Sequence, residues 1–439
     1  MKIAVLGGGL AGMTAAYELN KKGHDIVLFE KQNDLGGLAS GFKEGKWNWY
    51  LEKNIHHLFA NDKEILSFAK KTGFNEIIFK TTKTGSYYPI TANITHLNRT
   101  PLRSNNGAPE GQVIPLDKPL HILQFPYLGM FNKLRTAFTL TFLKISPFIF
   151  LLYESSYAEK FITSTMGKKV WKVLWKELFR KKFGKYAGII LSSFLWARIK
   201  KRTKKLGYFH GGFNSFINHL EGKLIEESVE IKKNHNIASI KKEREQYVIN
   251  NQKFDVVIST LPTPIMIELC KDLFSKEYLN KLKRLKYMHA ISLVLQTKSL
   301  IFEDYYWVNI LDNKNEIMGI VQHTNFMDKL NYDNNHIIYV YNYFPTDDKK
   351  IEYTKDEIYN FYLKNLKKID PNIENKINKY DIFFGPYAQP IFDKVFLKNK
   401  PDFKTSLKNF FIANLDMTYP YDRGTNYAVK LGQKVANLV

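Results

Sequence analysis

Three glycines near the amino terminus have the spacing of a phosphate-binding turn. The sequence Gly7-x-Gly9-x-x-Gly12 follows a short apolar segment and precedes a segment with helical spacing. The first glycine allows a tight turn, the second lets the backbone approach a pyrophosphate, and the third lets helix and strand pack closely. The helix amino terminus would direct N–H groups and a partial positive charge at the phosphates. The spacing therefore predicts a dinucleotide site at Gly7, Gly9, Leu10, Ala11 and Gly12.

A carboxylate and a glycine pair follow this turn. Glu30 ends the next apolar segment, where it can accept hydrogen bonds from a ribose. Residues 31–38 then contain two adjacent glycines, which is typical of flavoproteins, in which the chain continues beside the pyrophosphate and the flavin. Domains that bind only NAD usually continue directly into a second helix, so this segment favours FAD. The predicted cofactor site therefore also includes Lys31, Gly36, Gly37 and Leu38.

Two later segments also favour FAD. Residues 230–260 predict a small strand layer that returns to an apolar strand, which is similar to the part of flavoproteins where the backbone near Ile237 meets the adenine. Residues 411–427 predict a strand, a loop and a helix amino terminus, which would place N–H groups near the flavin ring and ribityl chain. The predicted contacts in this last segment are Asp422, Gly424, Thr425 and Tyr427.

Hydrophobic periodicity and turn residues predict the elements that position these groups. The amino-terminal unit is expected to be strand, helix and strand, residues 131–207 are expected to be helical, and residues 285–345 are expected to be mainly strands. The individual predictions are strands at 2–6 and 26–29, helices at 11–21 and 62–71 with Asp62 as N-cap, a loop at 93–111, and a final helix from Thr425.

The sequence resembles the superfamily of FAD-dependent amine oxidases, protoporphyrinogen oxidases and phytoene desaturases, and most closely its bacterial and archaeal protoporphyrinogen-oxidase-like branch. The resemblance covers nearly the whole chain. The matching stretches are Gly207-Tyr208, Gly211-Gly212-Phe213, Tyr306-Trp307, His323-Thr324-Asn325-Phe326, Tyr387-Ala-Gln-Pro390 and Asp422-Arg423-Gly424-Thr425-Asn426-Tyr427.

The resemblance implies an α/β fold of the GR2 flavoprotein type, in which a Rossmann-like FAD-binding domain is interleaved with an α+β substrate domain. It also implies a noncovalently bound FAD with the active site between the two domains. The expected FAD-binding domain comprises residues 1–80, 208–285 and 383–439. The expected substrate domain comprises residues 81–207 and 286–382, with a basic helical part at 131–207.

Two positions depart from the pattern of the superfamily. Many members have arginine where this chain has Leu38, which removes a cation near the flavin phosphates. Many have aspartate where this chain has Asn414. The second departure predicts that another residue, Asp422, recognises the ribityl chain.

The expected reaction is oxidation of a small molecule by FAD, with hydride removed from a C–H bond next to nitrogen or carbon. Oxygen, a quinone or another acceptor would then take the electrons. His56 and Asn325 are the candidate catalytic residues. Each has a structural alternative: His56 could be a core histidine with satisfied hydrogen bonds, and Asn325 could be a hydrogen-bonding group at the end of a strand. Lys286 could be the lysine that some amine oxidases hold near flavin N5.

Two other functions stay open. The loop around His56 resembles one in UDP-galactopyranose mutases, which implies a redox-neutral isomerase acting through reduced FAD. A noncatalytic flavin-binding or membrane-docking scaffold is the second alternative. The single cysteine, Cys270, and the lack of a secretory signal or Cys/His cluster predict a cytoplasmic protein without a metal site.

The net charge of +23 is concentrated in one part of the chain. Residues 168–206 contain fourteen lysines and arginines and one acid, Glu177. This stretch predicts solvated cations on a domain helix, docking on an anionic membrane surface, or steering of an anionic substrate. Nucleic acid is not expected, because no recognised binding module accompanies the charge.

The apolar stretch from Thr136 to Tyr153 predicts a buried helix pair, with an interfacial segment as the alternative.

Overall fold

The computed structural model describes residues 1–89 and 111–439, so the predicted loop at 93–111 lies outside the described residues except for Gly111. In chain order, the strands are β1 (Lys2–Leu6), β2 (Asp25–Phe29), β3 (Gly41–Phe42), β4 (Leu51–Glu52), β5 (Leu58–Phe59), β6 (Ile77–Thr81), β7 (Thr84–Pro89), β8 (Gly111–Pro115), β9 (Lys205–Phe209), β10 (Glu230–Lys232), β11 (Ile240–Glu243), β12 (Gln246–Ile249), β13 (Gln252–Phe254), β14 (Val256–Ser259), β15 (Tyr287–Thr297), β16 (Trp307–Ile310), β17 (Gly319–Gln322), β18 (His336–Pro345), β19 (Ile377–Pro390) and β20 (Phe410–Ile412).

The α-helices, numbered in the same way, are α1 (Leu10–Asn20), α2 (Lys63–Thr72), α3 (Pro119–Leu123), α4 (Met130–Ile145), α5 (Phe150–Tyr153), α6 (Ala158–Thr165), α7 (Lys168–Val170), α8 (Lys176–Phe183), α9 (Ser192–Lys201), α10 (Phe213–Glu226), α11 (Thr263–Leu269), α12 (Lys276–Leu282), α13 (Lys355–Leu366), α14 (Ile373–Lys376), α15 (Lys394–Asn399) and α16 (Thr425–Ala436). A π-helical turn at Trp171–Trp175 joins α7 to α8.

The amino-terminal strand, helix and strand form part of a five-stranded parallel sheet layer. Its strand order is β10-β2-β1-β14-β20, and every neighbouring pair is parallel. The predicted strand, helix and strand are confirmed, with α1 beginning one residue earlier than predicted. Strands β1, β2, β14 and β20 are mainly apolar because a parallel sheet is covered on both faces. The edge strand β10 is short and carries Glu230 and Lys232. The carboxyl ends of the strands meet at one edge, which is where such sheets bind ligands.

A seven-stranded mixed sheet forms the second layer. Its order is β19-β15-β18-β17-β16-β7-β8, and all of β15 is buried. The prediction of strands between residues 285 and 345 is confirmed. The predicted domain boundary at residue 383 falls inside β19, which is one strand of 14 residues. The division into two domains stays a prediction.

The predicted helical region at 131–207 is confirmed, and its basic stretch forms a domain helix. The apolar side chains of this stretch pack inward, since Trp171, Leu174 and Phe179 are all less than 10% exposed. Lys169 and Lys172 lie on the exposed side. For residues 168–180 this packing favours solvated cations on a domain helix, whereas Lys181 and Lys182 are buried.

The prediction that Thr136 to Tyr153 forms a buried helix pair is wrong. Phe138 and Leu151 are 77% and 88% exposed. The side of α4 that packs against the protein carries Thr136 and Thr139, whose hydroxyls donate to carbonyl oxygens one turn earlier. The inward face thus combines these threonines with the fully buried Leu143, and the outward face is largely apolar. Within residues 1–89 and 111–439, we find no helix with the length and apolar character needed to span a bilayer.

A buried carboxylate at the end of β4 ties this strand to β9 and to the start of α10. Glu52 is 1% exposed. It accepts hydrogen bonds from the Tyr208 hydroxyl, at 2.7 and 2.9 Å, and from the Phe213 amide, at 2.8 Å. Burial raises the pKa of Glu52 to about 7, although these hydrogen bonds oppose the rise.

Glu52→Gln should therefore stabilise the protein above neutral pH. Because the folded-state pKa of Glu52 lies above its ordinary value of 4.5, the folded state holds the proton more tightly, and ionisation destabilises it as pH rises from 4.5 through 7. The amide fits the same contacts, donating to Tyr208 and accepting from Phe213. We expect equal unfolding free energies at pH 4.5 and an advantage of about 2 kcal/mol for the variant at pH 8. Urea unfolding across this range measures the difference, and parallel pH profiles would contradict it.

Candidate active site

A cavity of about 1400 Å³ extends from the edge of the parallel sheet to helices α4 and α9. It brings together residues that are distant in the chain, from Gly7 to Leu431. All predicted cofactor residues line it except Gly12, which lies behind the turn. The lining set is Gly7, Gly9, Leu10, Ala11, Glu30, Lys31, Gly36, Gly37, Leu38, Ile237, Asp422, Gly424, Thr425 and Tyr427.

Glycine is favoured at each of the three positions of the turn for a different structural reason. Gly7 has a φ of +103°, which favours glycine. A Cβ at Gly12 would lie 2.0 Å from the carbonyl oxygen of Gly7, so the turn itself excludes a side chain there. A Cβ at Gly9 would meet nothing closer than the Cα of Gly37, at 3.9 Å. The protein thus leaves space in front of Gly9, as expected if a ligand occupies that space.

The glycine pair closes the other side of this space. Gly36 and Gly37 have φ values of +103° and +57°. The Gly36 amide donates to the carbonyl of Gly8 at 2.8 Å, which holds the pair against the turn. Together these backbones form a cradle without side chains, which fits a pyrophosphate.

The adenosine end of the cavity also fits the predicted cofactor. The Glu30 carboxylate accepts from the amides of Gly8, at 2.7 Å, and Gln32, at 2.8 Å, which fixes it at the cavity wall. The backbone of Ile237 has no hydrogen-bond partner among the described residues, so its amide and carbonyl are free for a base. Residues Gly424 and Thr425, at the start of α16, line the opposite part of the cavity. These hydrogen-bonding groups along the cavity therefore fit FAD.

The two positions that depart from the superfamily pattern also lie at the cavity. Leu38 takes the place of a cation on its wall. The Asn414 side chain donates to the Leu261 carbonyl and to Thr263 Oγ1, both at 2.9 Å, so it ties two loops together. Asp422 accepts from Lys182 at 2.9 Å. The expected recognition of the ribityl chain by Asp422 stays a prediction.

A cationic cluster occupies the cavity wall beside Asp422. It consists of Lys182, Arg198 and Arg423. The Arg423 guanidinium lies 5.0 Å from the centre of the Tyr343 ring and donates to its hydroxyl. Arg198 has no ion-pair or hydrogen-bond partner within the part of the chain that the structure describes. One carboxylate therefore faces three cations.

Electrostatics in the cluster follow from this imbalance. Burial lowers the pKa of Lys182 to about 8, with Asp422 opposing the change and Arg198 adding to it. Burial acts to raise the pKa of Asp422, but Lys182, Arg198 and Arg423 outweigh it and hold that pKa below its usual range. The cluster carries a net positive charge at neutral pH and would attract an anion.

Two histidines line the cavity as neutral imidazoles. Burial, and then the charge of Arg423, lower the pKa of His56 to about 4. Its Nδ1 lies 2.7 Å from the carbonyl oxygen of Asn54, so Nδ1 carries the proton and Nε2 keeps its lone pair. Burial, His56 and nearby arginines lower the pKa of His57 to about 3. The structure thus places the predicted His56 at the cavity, with an acceptor nitrogen available.

The comparison with known families agrees with this geometry. The family model described as flavin containing amine oxidoreductase matches residues 10–439. The chain belongs to this family. Membership confirms the predicted superfamily, the flavin-dependent oxidoreductase class and FAD as the cofactor.

Individual relatives of this flavin-containing amine oxidoreductase differ in substrate. A zeta-carotene desaturase from Zea mays is 26% identical over 156 residues, which span 34% of this chain and 24% of the desaturase. A candidate protoporphyrinogen oxidase from Exiguobacterium superposes with a TM-score of 0.71 at 15% identity, over 100% and 98% of the two chains. Cyclohexylamine oxidase from Brevibacterium oxydans superposes with a TM-score of 0.71 at 11% identity, over 100% and 98%. These superpositions show the fold.

The second predicted catalytic residue of this flavin-containing amine oxidoreductase lies elsewhere. Asn325 does not line the cavity. Its amide donates to the carbonyls of Tyr305 and Phe302 at 2.9 and 3.2 Å, so it closes a strand end. The expected substrate contact is corrected accordingly. Lys286 is ion-paired with Asp393 at 2.7 Å and also does not line the cavity.

Four ionisable cavity residues that shape the electrostatics of the site were not predicted as site residues from the sequence. They are His57, Lys182, Arg198 and Arg423. Lys182 follows the buried Phe179 by three residues, so helical spacing alone places it on the buried side of α8. No comparable pattern in the sequence marks Arg198, because its position depends on how α9 packs.

Proposed function

We propose that this protein oxidises a carboxylate-bearing small molecule by removing hydride from a C–H bond next to nitrogen or carbon. A bound flavin supplies the two-electron acceptor. The substrate carbon gives up a hydride, the neighbouring N–H or C–H gives up a proton, and a C=N or C=C bond forms. Oxygen, a quinone or another acceptor then takes the two electrons.

The cationic cluster is the observation that carries this proposal. Arg198 contributes a guanidinium that the described protein leaves unpaired, and its planar donors match a carboxylate. In total, ten lysines and arginines and six carboxylates line the cavity. A cavity of this charge favours anions and disfavours ammonium ions.

The substrates named for the relatives can be ranked by this charge. Cyclohexylamine is a cation at neutral pH, which the cluster repels. Zeta-carotene is a hydrocarbon, which offers the three cations nothing to bind. Protoporphyrinogen carries carboxylates that match the cluster. A carboxylate-bearing porphyrinogen or amino compound therefore fits this chain better than a simple amine or a polyene.

His56 is positioned to accept a proton or a hydrogen bond from such a substrate. Its Nδ1 is fixed on Asn54, which orients the ring and leaves Nε2 as the free acceptor. The neutral form is kept because burial and Arg423 oppose a second proton. We propose that His56 orients the N–H or C–H bond adjacent to the one that is oxidised.

Arg198→Gln should weaken the binding of acids selectively. We expect KM for protoporphyrinogen to rise about tenfold, because a charge-assisted hydrogen bond of roughly 1.4 kcal/mol is lost. The dimethyl ester of the same compound should keep its KM in wild type and variant alike. Anaerobic bleaching of the flavin absorbance measures both, and an amino acid with its amide forms a second matched pair.

The control for this experiment is Arg284→Gln, which changes an exposed arginine that does not line the cavity. It should leave both KM values unchanged. Wild-type protein that bleaches equally fast with acid and ester would contradict the proposal of a carboxylate substrate. Failure of all candidates to bleach the flavin would contradict the proposed oxidation.

A redox-neutral isomerisation of a sugar nucleotide is the second candidate. The same cluster would match a diphosphate, and His56 lies on the cavity wall as the resemblance to UDP-galactopyranose mutases implies. Anaerobically reduced protein is mixed with UDP-galactose and the products are separated by chromatography. Conversion would favour the isomerase, and its absence would remove this candidate.

A further inference from the structure

The segment from α3 to α5 exposes an unusual concentration of large apolar side chains. Among the described residues, ten of the nineteen exposed large hydrophobic side chains lie here. We call this set the apolar surface. It comprises Leu120, Leu123, Met130, Phe131, Leu134, Phe138, Ile145, Ile149, Phe150 and Leu151. Soluble surfaces rarely keep so continuous an apolar area without a binding role.

Helix α4 has its apolar face turned outward. Phe131, Leu134 and Phe138 are 71%, 57% and 77% exposed and recur at intervals of three and four residues, so they share one face. The inward face carries the threonines that bond to their own helix. At 1.5 Å per residue the helix is about 24 Å long, which makes the face a broad surface.

The charged side chains within the segment that carries the apolar surface are all basic, and one acid flanks this segment at each end, Asp117 and Glu154. From Lys118 to Tyr153 the sequence contains no acidic residue. Lys144 Nζ donates to the carbonyls of Lys200 and Arg202, at 3.1 and 2.6 Å, so the carboxyl end of α9 lies beside that of α4. The basic run at the end of α9 therefore borders the apolar surface.

The cavity opens beside this surface. Thr141, Lys144 and Ile145 of α4 are exposed and also line the cavity, as do Arg202 and Lys204 beyond α9. An apolar compound bound at the apolar surface would therefore lie next to the cavity opening.

We propose that the apolar surface docks on an anionic lipid bilayer, with α4 lying in the interface and the cavity opening towards the lipid. Apolar side chains bordered by lysine and arginine, with no acid among them, match the acyl chains and the anionic headgroups of such a bilayer. A second copy of the chain fits less well, because a two-fold contact would bring the basic borders together. The membrane contact is thus assigned to residues 120–151 and not to the basic helix at 169–176.

Cosedimentation of the holoenzyme with vesicles tests this assignment. Vesicles of phosphatidylcholine alone are compared with vesicles that also contain phosphatidylglycerol, at low and high salt. We expect strong binding to the anionic vesicles at low salt and weaker binding to the others. The triple variant Phe131→Ser, Leu134→Ser and Phe138→Ser should bind at least tenfold more weakly while retaining its FAD.

Two matched variants separate the surfaces. Ile225→Ser with Leu330→Ser removes apolar groups of 60% and 62% exposure elsewhere and should leave vesicle binding unchanged. Lys169→Gln with Lys172→Gln and Lys176→Gln should also bind nearly as wild type. Undiminished binding of the triple serine variant would overturn the proposal. A second outcome would also overturn it: sedimentation velocity without lipid shows that the wild type is a dimer and the triple serine variant a monomer, while neither protein binds vesicles. None of these readouts depends on turnover, so they stand apart from the proposed reaction.

Discussion

Gly9→Asn is expected to abolish FAD binding while the protein without cofactor stays folded. Gly9 has a φ of −71° and a ψ of 170°, an extended conformation that any residue adopts. Asparagine is also a favourable N-cap for α1. Its side chain would fill the space in front of the turn, where the nearest protein atom lies 3.9 Å from a Cβ. We expect FAD affinity to fall by at least about 100-fold, because the backbone can no longer approach the pyrophosphate.

Gly12→Ala is the matched comparison. Its Cβ would lie 2.0 Å from the Gly7 carbonyl oxygen, so the turn must distort before any ligand is present. This variant should lose thermal stability as well as FAD. The two effects are measured by FAD titration of the apoprotein, by the FAD content of purified protein, and by unfolding without cofactor. Full FAD affinity in Gly9→Asn would show that the pyrophosphate lies elsewhere.

The cofactor half of the molecule could be predicted because its chemistry leaves local marks. Gly7 and Gly12 are required by backbone geometry that only their immediate neighbours create. The strand before them is apolar from Ile3 to Leu6 because both faces of the sheet are covered. These requirements act over a few residues, so they appear in the sequence as spacing.

In the substrate half, the direction of each side chain depends on tertiary packing, which residue spacing in the sequence predicts less well. The apolar stretch from Thr136 to Tyr153 predicts a buried helix pair, yet α4 packs through Thr136, Thr139 and Leu143. Its Phe131 and Phe138 are exposed. Asn325 was expected at the cavity from its place at a strand end, but the carbonyls of a neighbouring loop take both of its amide hydrogens. In each case the direction of a side chain depends on a partner that is distant in the sequence.

Asp422→Asn is expected to destabilise the protein most near pH 6, where Asp422 of the wild type is ionised and the neighbouring cations are all charged. The substitution leaves Lys182, Arg198 and Arg423 together without their carboxylate, at a cost of about 3 kcal/mol when all three are charged. Asp422 is the group that raises the pKa of Lys182 towards its present value of about 8, so the pKa falls further in the variant. Lys182 then loses its proton at a lower pH in the folded state than in the unfolded state. The unfolding free energy of the variant should recover as pH rises from 6 through 8.

Lys182→Met should behave differently, because Arg198 and Arg423 remain to balance Asp422. We expect a loss of about 1 kcal/mol, from one hydrogen bond, with no recovery between pH 6 and 8. Urea unfolding at each pH distinguishes the two variants, and added phosphate should restore stability to Asp422→Asn alone by replacing the missing negative charge. Equal losses in both variants, without dependence on pH or phosphate, would mean that the three cations do not act as one cluster. An anionic substrate would then be bound by Arg198 alone and not by the cluster.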